Sequence, residues 1–203
     1  MRGNIILDLC GGSGSWSKPY RDAGYDVRVI TLPEQSVVDY IPPKNVYGIL
    51  SAPPCVEFSI AKDHKLERDI IGGMHTVNAC IRIIALSKPK FWALENPVGL
   101  LHKWLDEPKL KFHPWFYGDP WTKKTAIWGE FNTPEQMYHR WEDVPKNDDL
   151  YIRPGRKKPS IAFLHKSAVN LIPQLKGYEP EDDSAFRAIT PPGFANAFFR
   201  ANQ

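Results

Sequence analysis

Asn4-Ile5-Ile6-Leu7-Asp8-Leu9-Cys10-Gly11-Gly12-Ser13-Gly14 is the stretch on which the fold turns. An apolar run of strand length, broken only by Asp8, opens directly into a glycine turn. Outward from it, the sequence predicts a helix over about residues 15–23 closed by Gly24, and an alternating second strand over Asp26–Leu32. Val46–Ser51 reads as a further strand, ended by the consecutive prolines of Ala52-Pro53-Pro54-Cys55. Between Glu67 and Ser87, the residues Ile70, Met74, Val77, Ile81 and Ile84 step by four and three, the period of an amphipathic helix, and Pro89 stops it. Phe91–Leu94 follows as a buried strand ending at Glu95-Asn96-Pro97, and Thr125–Trp128 adds another. After Pro191-Pro192-Gly193, Phe194–Ala201 reads as a short apolar helix with proline near its start. Strands alternating with helices predict an α/β fold, a mostly parallel sheet with helices on both faces. Ligands of such sheets sit outside the carboxyl ends of the strands, where the glycine turn, the Pro-Pro-Cys turn and Glu95-Asn96-Pro97 all fall.

Length and composition agree with this reading. At 203 residues the chain predicts one domain with a core of its own, and 42 % apolar with 24 % charged residues is ordinary globular usage. Its longest apolar runs fall far short of the ~20 residues of a membrane span, and Met1–Leu7 carries no signal-peptide pattern. Cys10, Cys55 and Cys80 are odd in number and widely spaced, so neither a disulfide framework nor a zinc cluster is expected, and the setting expected is cytoplasmic. His64, His75, His102, His113, His139 and His165 show no metal-ligand spacing, so no metal is expected. The aromatic residues around Trp115 to Trp121 read as packing. A net charge of +3 excludes a uniformly basic molecule, yet Leu150 to Tyr178 holds Arg153, Arg156, Lys157, Lys158, Lys166 and Lys176 with no acid. That segment is either a solvated loop or a surface for phosphates.

The three turns differ in how much chemistry they carry. A glycine turn lets backbone approach a ligand at a helix N-terminus, but Gly12-x-Gly14 has Ser17 where the dinucleotide pattern needs its third glycine, so it names no cofactor. Asp8 can accept from a ligand's amine or ribose, or cap the turn. Ala52-Pro53-Pro54-Cys55 is sharper. Methylating an exocyclic amine needs Asp, Asn or Ser at the head of such a turn and an aromatic at its end, where Ala52 and Cys55 stand. Carbon 5 of cytosine, by contrast, becomes nucleophilic only after addition at carbon 6, and a thiolate suits that addition. Cys55 is therefore read as a nucleophile, whereas Cys80 and largely Cys10 read as small buried hydrophobes. Glu95, at the next strand end, can hold the exocyclic amine and protonate ring nitrogen 3, or serve as a helix N-terminal acid.

In this order the motifs resemble those of the DNA cytosine-5 methyltransferases, in a small form. Asp8-Leu9-Cys10-Gly11-Gly12-Ser13-Gly14 resembles that family's S-adenosylmethionine loop, Ala52-Pro53-Pro54-Cys55-Val56-Glu57-Phe58-Ser59 its nucleophile loop, and Glu95-Asn96-Pro97 its Glu-Asn-Val motif. Arg187-Ala188-Ile189-Thr190-Pro191-Pro192 resembles the closing motif of the cofactor pocket, and the likeness covers about residues 4–129 and 184–201. The resemblance implies a Rossmann-like S-adenosylmethionine-dependent methyltransferase fold. It also implies Cys55, Glu95, Asn96 and Lys124 as catalytic residues, and Asp8, Leu9, Gly11, Gly12, Ser13, Gly14, Asp39, Pro53 and Thr190 as cofactor-binding residues. Lys124 falls where the family's strand has an active-site Arg, and Glu34 is the nearest acid for the cofactor ribose.

The implied cofactor is S-adenosyl-L-methionine and the implied partner is DNA, in the cytoplasm of a bacterial or phage-infected cell. Only the loop-rich segment 130–183 remains for target recognition, inserted before the closing helix. Ser59, Arg153, Arg156, Lys157, Lys158 and Lys166 are the expected nucleic-acid contacts, which position a strand without specifying its sequence. Two rivals stay open, namely cytosine-5 methylation of RNA or free cytosine nucleotide, and a noncatalytic nucleic-acid-binding module that keeps the fold.

Overall fold

A computed structural model describes residues 4–62 and 65–203, so Met1–Gly3 and His64, on which two of the expectations above fall, lie outside the described residues. The elements run β1 (Ile5–Leu9), α1 (Lys18–Asp22), β2 (Asp26–Ile30), β3 (Val46–Ser51), α2 (Ile70–Ser87), β4 (Phe91–Pro97), α3 (His102–Leu105), β5 (Leu110–Phe112), β6 (Thr125–Glu130), α4 (Asp183–Ala188) and α5 (Pro192–Ala201). One six-stranded sheet has the order β2-β1-β3-β4-β6-β5. β2, β1, β3 and β4 are mutually parallel, and β6 runs antiparallel to both β4 and β5. The chain leaves β1 toward β2 and returns on its other side as β3, so the switch in winding direction falls between β1 and β3. This is a Rossmann-like α/β fold, with one reversed strand near one edge.

Alternation along the strands divides the core into two layers. Leu7, Leu9, Ile49, Leu94, Ala126 and Trp128 face the layer that α2 covers with Val77, Cys80, Ile83 and Ile84. Ile6, Leu50, Ala93 and Ile127 face the other, where Tyr20 of α1 and Phe194, Ala197 and Phe198 of α5 pack. By length and composition alone α2 would pass as a membrane span; its buried stripe against the sheet makes it a core helix. Asp69 caps it by accepting from the Gly72 N–H at 2.8 Å.

The departures from expectation have local causes. The residues expected to open α1 form turns instead, because Ser17 Oγ is held by Asp8, and the helix starts only at Lys18. β4 continues through Glu95-Asn96-Pro97 because β6 pairs with it as far as Pro97↔Thr125, with proline at the strand end where a missing N–H is tolerated. β5, α3 and α4 are too short for a periodic signal. Residues 130–183 hold only short 3-10 turns, among them Trp141–Asp143, Ile161–Phe163 and Lys166–Leu171, up to the start of α4. Leu150, Ile161, Leu164, Val169, Ile172 and Leu175 of that segment form a third apolar cluster with Trp121, Phe186 and Ile189.

Candidate active site

A cleft of about 1300 Å³ opens at the carboxyl ends of β1, β3 and β4. Asp8, Gly11, Gly12, Ser13, Pro53, Cys55, Ser59, Glu95, Lys124, Arg156, Lys157, Lys158 and Thr190 all line it, as the sequence reading expects of site residues. Several others do not. Leu9 is fully buried and uses its carbonyl to accept from Ala52 N–H at 2.9 Å, and Gly14 closes the turn by donating to the Gly11 carbonyl. Asp39 is exposed outside the cleft lining, because the chain between β2 and β3 carries it over the surface. Glu34 is likewise exposed and outside the lining.

The turn that presents Cys55 is fixed from several sides. Asn96 is completely buried, and its Nδ2 donates to the Pro53 carbonyl at 3.1 Å. The Cys55 carbonyl accepts from the N–H groups of Phe58 and Ser59, and the side chain of Phe58 is sunk in the core. Leu100 N–H donates to the Phe58 carbonyl at 2.8 Å. A Cβ on Gly99 would lie 2.3 Å from that carbonyl oxygen, so this approach requires glycine. Glu57 accepts from Lys62 Nζ and from Asp69 N–H, tying the loop to the start of α2. Arg68 donates to the carbonyls of Glu57 and Ser59, at 2.8 and 3.0 Å.

Burial pushes the Cys55 thiol above its ordinary pKa, and the Glu95 carboxylate pushes it further, against Lys123 and Arg187, which pull it down. In the free protein the thiol is therefore held protonated. The lysine beside Glu95 is Lys123, not Lys124. Lys123 Nζ lies 3.5 Å from Glu95 Oε1 and donates to the Arg187 carbonyl at 3.1 Å, while Lys124 is exposed at the cleft edge. Register explains the correction: Glu95 pairs with Ile127 and Pro97 with Thr125, so odd-numbered residues leading into β6 share the face of Glu95. Glu95 Oε1 is buried and makes no hydrogen bond; its contact is the longer ion pair with Lys123.

Beneath the glycine turn, Asp8 accepts from Ser17 Oγ at 2.6 Å, and its other oxygen, Oδ1, has no partner. Burial, opposed by Ser17 and Arg21, raises its pKa to about 6. Trp16, on the same wall, also buries an unpartnered Nε1. Ser15 Oγ accepts from Thr190 N–H at 2.8 Å, so the C-terminal segment is latched to the glycine turn across the whole length of the chain. Cys10 lines the cleft and Cys80 is fully buried beneath it.

The basic segment divides. Arg153 packs its guanidinium over Phe163 at 4.7 Å, and Phe163 lines the cleft. Lys166 does not line the cleft; it donates to the Glu181 carbonyl and lies near His165, Asp182 and Asp183. Sequence reasoning missed Lys123, His113, Phe163 and Arg187. Their common feature, position around one cleft, appears only once β6 and the insert are placed. Among the described residues no group of His, Cys, Asp and Glu is arranged to hold a metal ion.

Residues 25–110 match the family model of the C-5 cytosine-specific DNA methylases. No curated protein sequence matches the chain. Among solved structures, it is similar to one named as a DNA modification methyltransferase encoded within a prophage (E. coli), at 15 % identity and a TM-score of 0.44, covering 82 % of this chain and 54 % of that one. The chain thus spans about half the length of that structure. The matched segment holds the Pro-Pro-Cys turn and the Glu95-Asn96-Pro97 strand end.

Proposed function

We propose that this protein transfers a methyl group from S-adenosyl-L-methionine to carbon 5 of cytosine in DNA, in the cytoplasm, through a covalent adduct of Cys55. The observation that carries this reading is the presence in one cleft of the Cys55 thiol, the Glu95 carboxyl, whose Oε1 makes no hydrogen bond, and the glycine turn after β1. The residues fit the methyl donor. Asp8 Oδ1 and Trp16 Nε1 are buried polar atoms lacking partners on the wall formed by Gly11, Gly12 and Ser13, which is where an amino acid and ribose need donors and acceptors. Asp8, Gly11, Gly12, Ser13, Trp16, Pro53 and Thr190 would hold S-adenosylmethionine, which supplies an electrophilic methyl group when bound.

The chain's own residues do the rest. Cys55, its proton lost to solvent, forms a bond from Sγ to carbon 6 of cytosine as the 5,6 double bond opens, and Glu95, having taken up a proton from solvent, gives it to ring nitrogen 3 to take up the charge. With S-adenosylmethionine bound, carbon 5 would take the methyl group as the donor's sulfur–methyl bond breaks, leaving S-adenosylhomocysteine. The carbon 5 proton then passes to solvent, the bond from sulfur to carbon 6 breaks to return the Cys55 thiolate, nitrogen 3 returns its proton to Glu95, and the double bond is restored. Lys123 keeps the Glu95 carboxyl oriented toward the base, and Asn96 keeps the Cys55 turn in place.

The test is an oligonucleotide carrying 5-fluorocytosine, incubated with the protein and S-adenosylmethionine. Fluorine at carbon 5 cannot leave as the proton does, so an adduct stable to denaturation accumulates. Cys55→Ser abolishes it under this reading, and the wild-type protein forming no adduct overturns the reading in favour of a binding module.

A further inference from the structure

Within the same cleft, three cationic or imidazole side chains from three separate elements converge on a place that the methyl-transfer chemistry does not use. We propose that His113, Lys124 and Lys158 form a phosphate-binding subsite, which takes the phosphate of a cytosine nucleotide adjoining the base presented to Cys55. This deepens the reading above and rests on it.

His113 leads into the 3-10 turn Pro114–Tyr117 and is half-buried, with Nδ1 shielded from solvent and lacking any hydrogen-bond partner. Lys124 stands one residue before β6, and Lys158 comes from the insert. All three line the cleft that holds Cys55 and Glu95. Burial first, and then the ammonium groups of Lys124 and Lys158, push the His113 pKa below the ordinary imidazole range. A neutral imidazole donates through one nitrogen and accepts through the other, as the tautomer dictates.

Lys158 is pre-positioned rather than free to wander. Its Nζ sits over the ring of Trp115 at 4.7 Å and within 5.2 Å of that of Trp141, two aromatic faces that hold the cation without neutralising it. Trp115 is two residues beyond His113, so the same short turn anchors both. The insert is fastened here as well, because Thr122 N–H donates to the Pro159 carbonyl at 2.9 Å and Ile161 N–H to the Thr122 carbonyl at 3.1 Å.

The contrast with neighbouring cations assigns the charge of the ligand. Lys123 is engaged by Glu95, and Lys166 lies outside the cleft with its Nζ on the Glu181 carbonyl. Among the described residues, neither Lys124 nor Lys158 has a carboxylate at ion-pair distance. Of the cleft's other acids, Asp8 accepts from Ser17, and Glu179 and Glu181 follow Tyr178 in one stretch of the lining. Lys124 and Lys158 both act on His113 from one cleft and lack an anion, and a phosphate oxygen bound there offsets their mutual repulsion while a His113 N–H donates to it. Cytosine in a strand and free cytosine nucleotide both offer such a phosphate.

The test measures binding of a fluorescent single-stranded cytosine oligonucleotide to the intact protein, alongside the 5-fluorocytosine adduct. Lys124→Gln and Lys158→Gln each weaken binding about tenfold, the two losses are less than additive, and each lowers the salt dependence by about one phosphate. Lys→Arg at either position restores most of the affinity, and His113→Gln, which keeps a donor, loses less than His113→Ala. In a scan of neutral methylphosphonate linkages, one linkage near the target costs as much as Lys124→Gln and makes that substitution silent. That result assigns the subsite to a strand. Competition by dCMP that itself weakens in Lys124→Gln assigns it to a free nucleotide. Variants that bind every oligonucleotide as the wild type does, with their melting temperatures unchanged, overturn the subsite. Adduct formation at Cys55 in those same variants then leaves the methyl-transfer reading standing, and absence of adduct in the wild type removes that reading while the binding result still decides the subsite.

Discussion

Asn96 Nδ2 and the Pro53 carbonyl, 3.1 Å apart in the buried floor of the cleft, join the strand that ends in Glu95 to the turn that presents Cys55. The two reactive groups of the proposed chemistry are thereby held by one hydrogen bond between adjacent parallel strands, β3 and β4. Asn96 itself reaches no ligand through that nitrogen; it is a positioning residue.

Removing this bond leaves a buried carbonyl without its donor. Asn96→Ala is expected to destabilise the protein by about 1–3 kcal/mol, read by chemical denaturation. The rate of 5-fluorocytosine adduct formation falls further than stability does, because the turn gains freedom at the reacting sulfur. Asn96→Asp keeps the size but replaces the donor by an acceptor, and it should not rescue the rate. An Asn96→Ala protein with a wild-type adduct rate under native conditions would contradict the positioning role.

Lys123 and Lys124 are neighbours in sequence with opposite roles in space. Lys123→Met is expected to slow the single-turnover methyl-transfer rate at least tenfold, because the Glu95 carboxyl loses the cation that orients it. Lys124→Met leaves that rate nearly intact at saturating DNA and raises the DNA concentration needed to reach it. Lys123→Arg restores part of the rate. Equal rate losses from the two methionine variants would reverse the assignment.

The pair also shows where sequence reading stops. The β-α-β opening, the Pro-Pro-Cys turn and the long helix are local patterns, and β3 and α5 stand close to where periodicity and prolines put them. Which lysine meets Glu95 is a matter of antiparallel register between β4 and β6, and register depends on pairing across 30 or so residues of chain that no local pattern reports. β5 has only three residues and the insert only 3-10 turns, so neither carries a period to read. Asp39 and Lys166 were legible as an acid and a base of suitable type; their partners and exposure were not. Conversely, His113 attracts no notice in the sequence, because its significance lies in two lysines that approach it from other elements.

Glu95 acts on Cys55 in two opposing ways. Its charge helps hold the thiol protonated, yet its carboxyl is the proposed proton donor to cytosine. Glu95→Gln therefore lowers the pKa of Cys55 and quickens its alkylation by iodoacetamide at pH 8, with the modified residue identified by peptide mapping to separate it from Cys10. The same substitution abolishes or strongly slows methyl transfer. In the wild type, alkylation of Cys55 continues to rise with pH through pH 9, since the thiol sits above its ordinary range. Slower alkylation in Glu95→Gln would show that the carboxylate activates the free thiol instead.

Asp119 is the other buried acid with consequences that can be measured. It is only 4 % exposed, and its carboxylate accepts from Gly193 N–H at 3.0 Å, in the first turn of α5. Burial raises its pKa to about 7 in spite of the hydrogen bonds from Gly193 and Phe194. In the unfolded chain an aspartate titrates near 4. The folded protein thus binds this proton more tightly than the unfolded one. The resulting contribution is fully present below about pH 4 and is lost as pH rises through about 7. Asp119→Asn keeps an oxygen to accept from Gly193 and removes the titration. Across pH 4 to 7.5, wild-type stability relative to this variant is expected to fall by an amount on the order of a few kcal/mol, read from denaturant midpoints at each pH. Asp8, raised to about 6, contributes in the same direction to both proteins and cancels in the comparison. Parallel stability curves for wild type and Asp119→Asn would mean that Asp119 stays ionised throughout, its charge carried by the N-terminal N–H groups of α5.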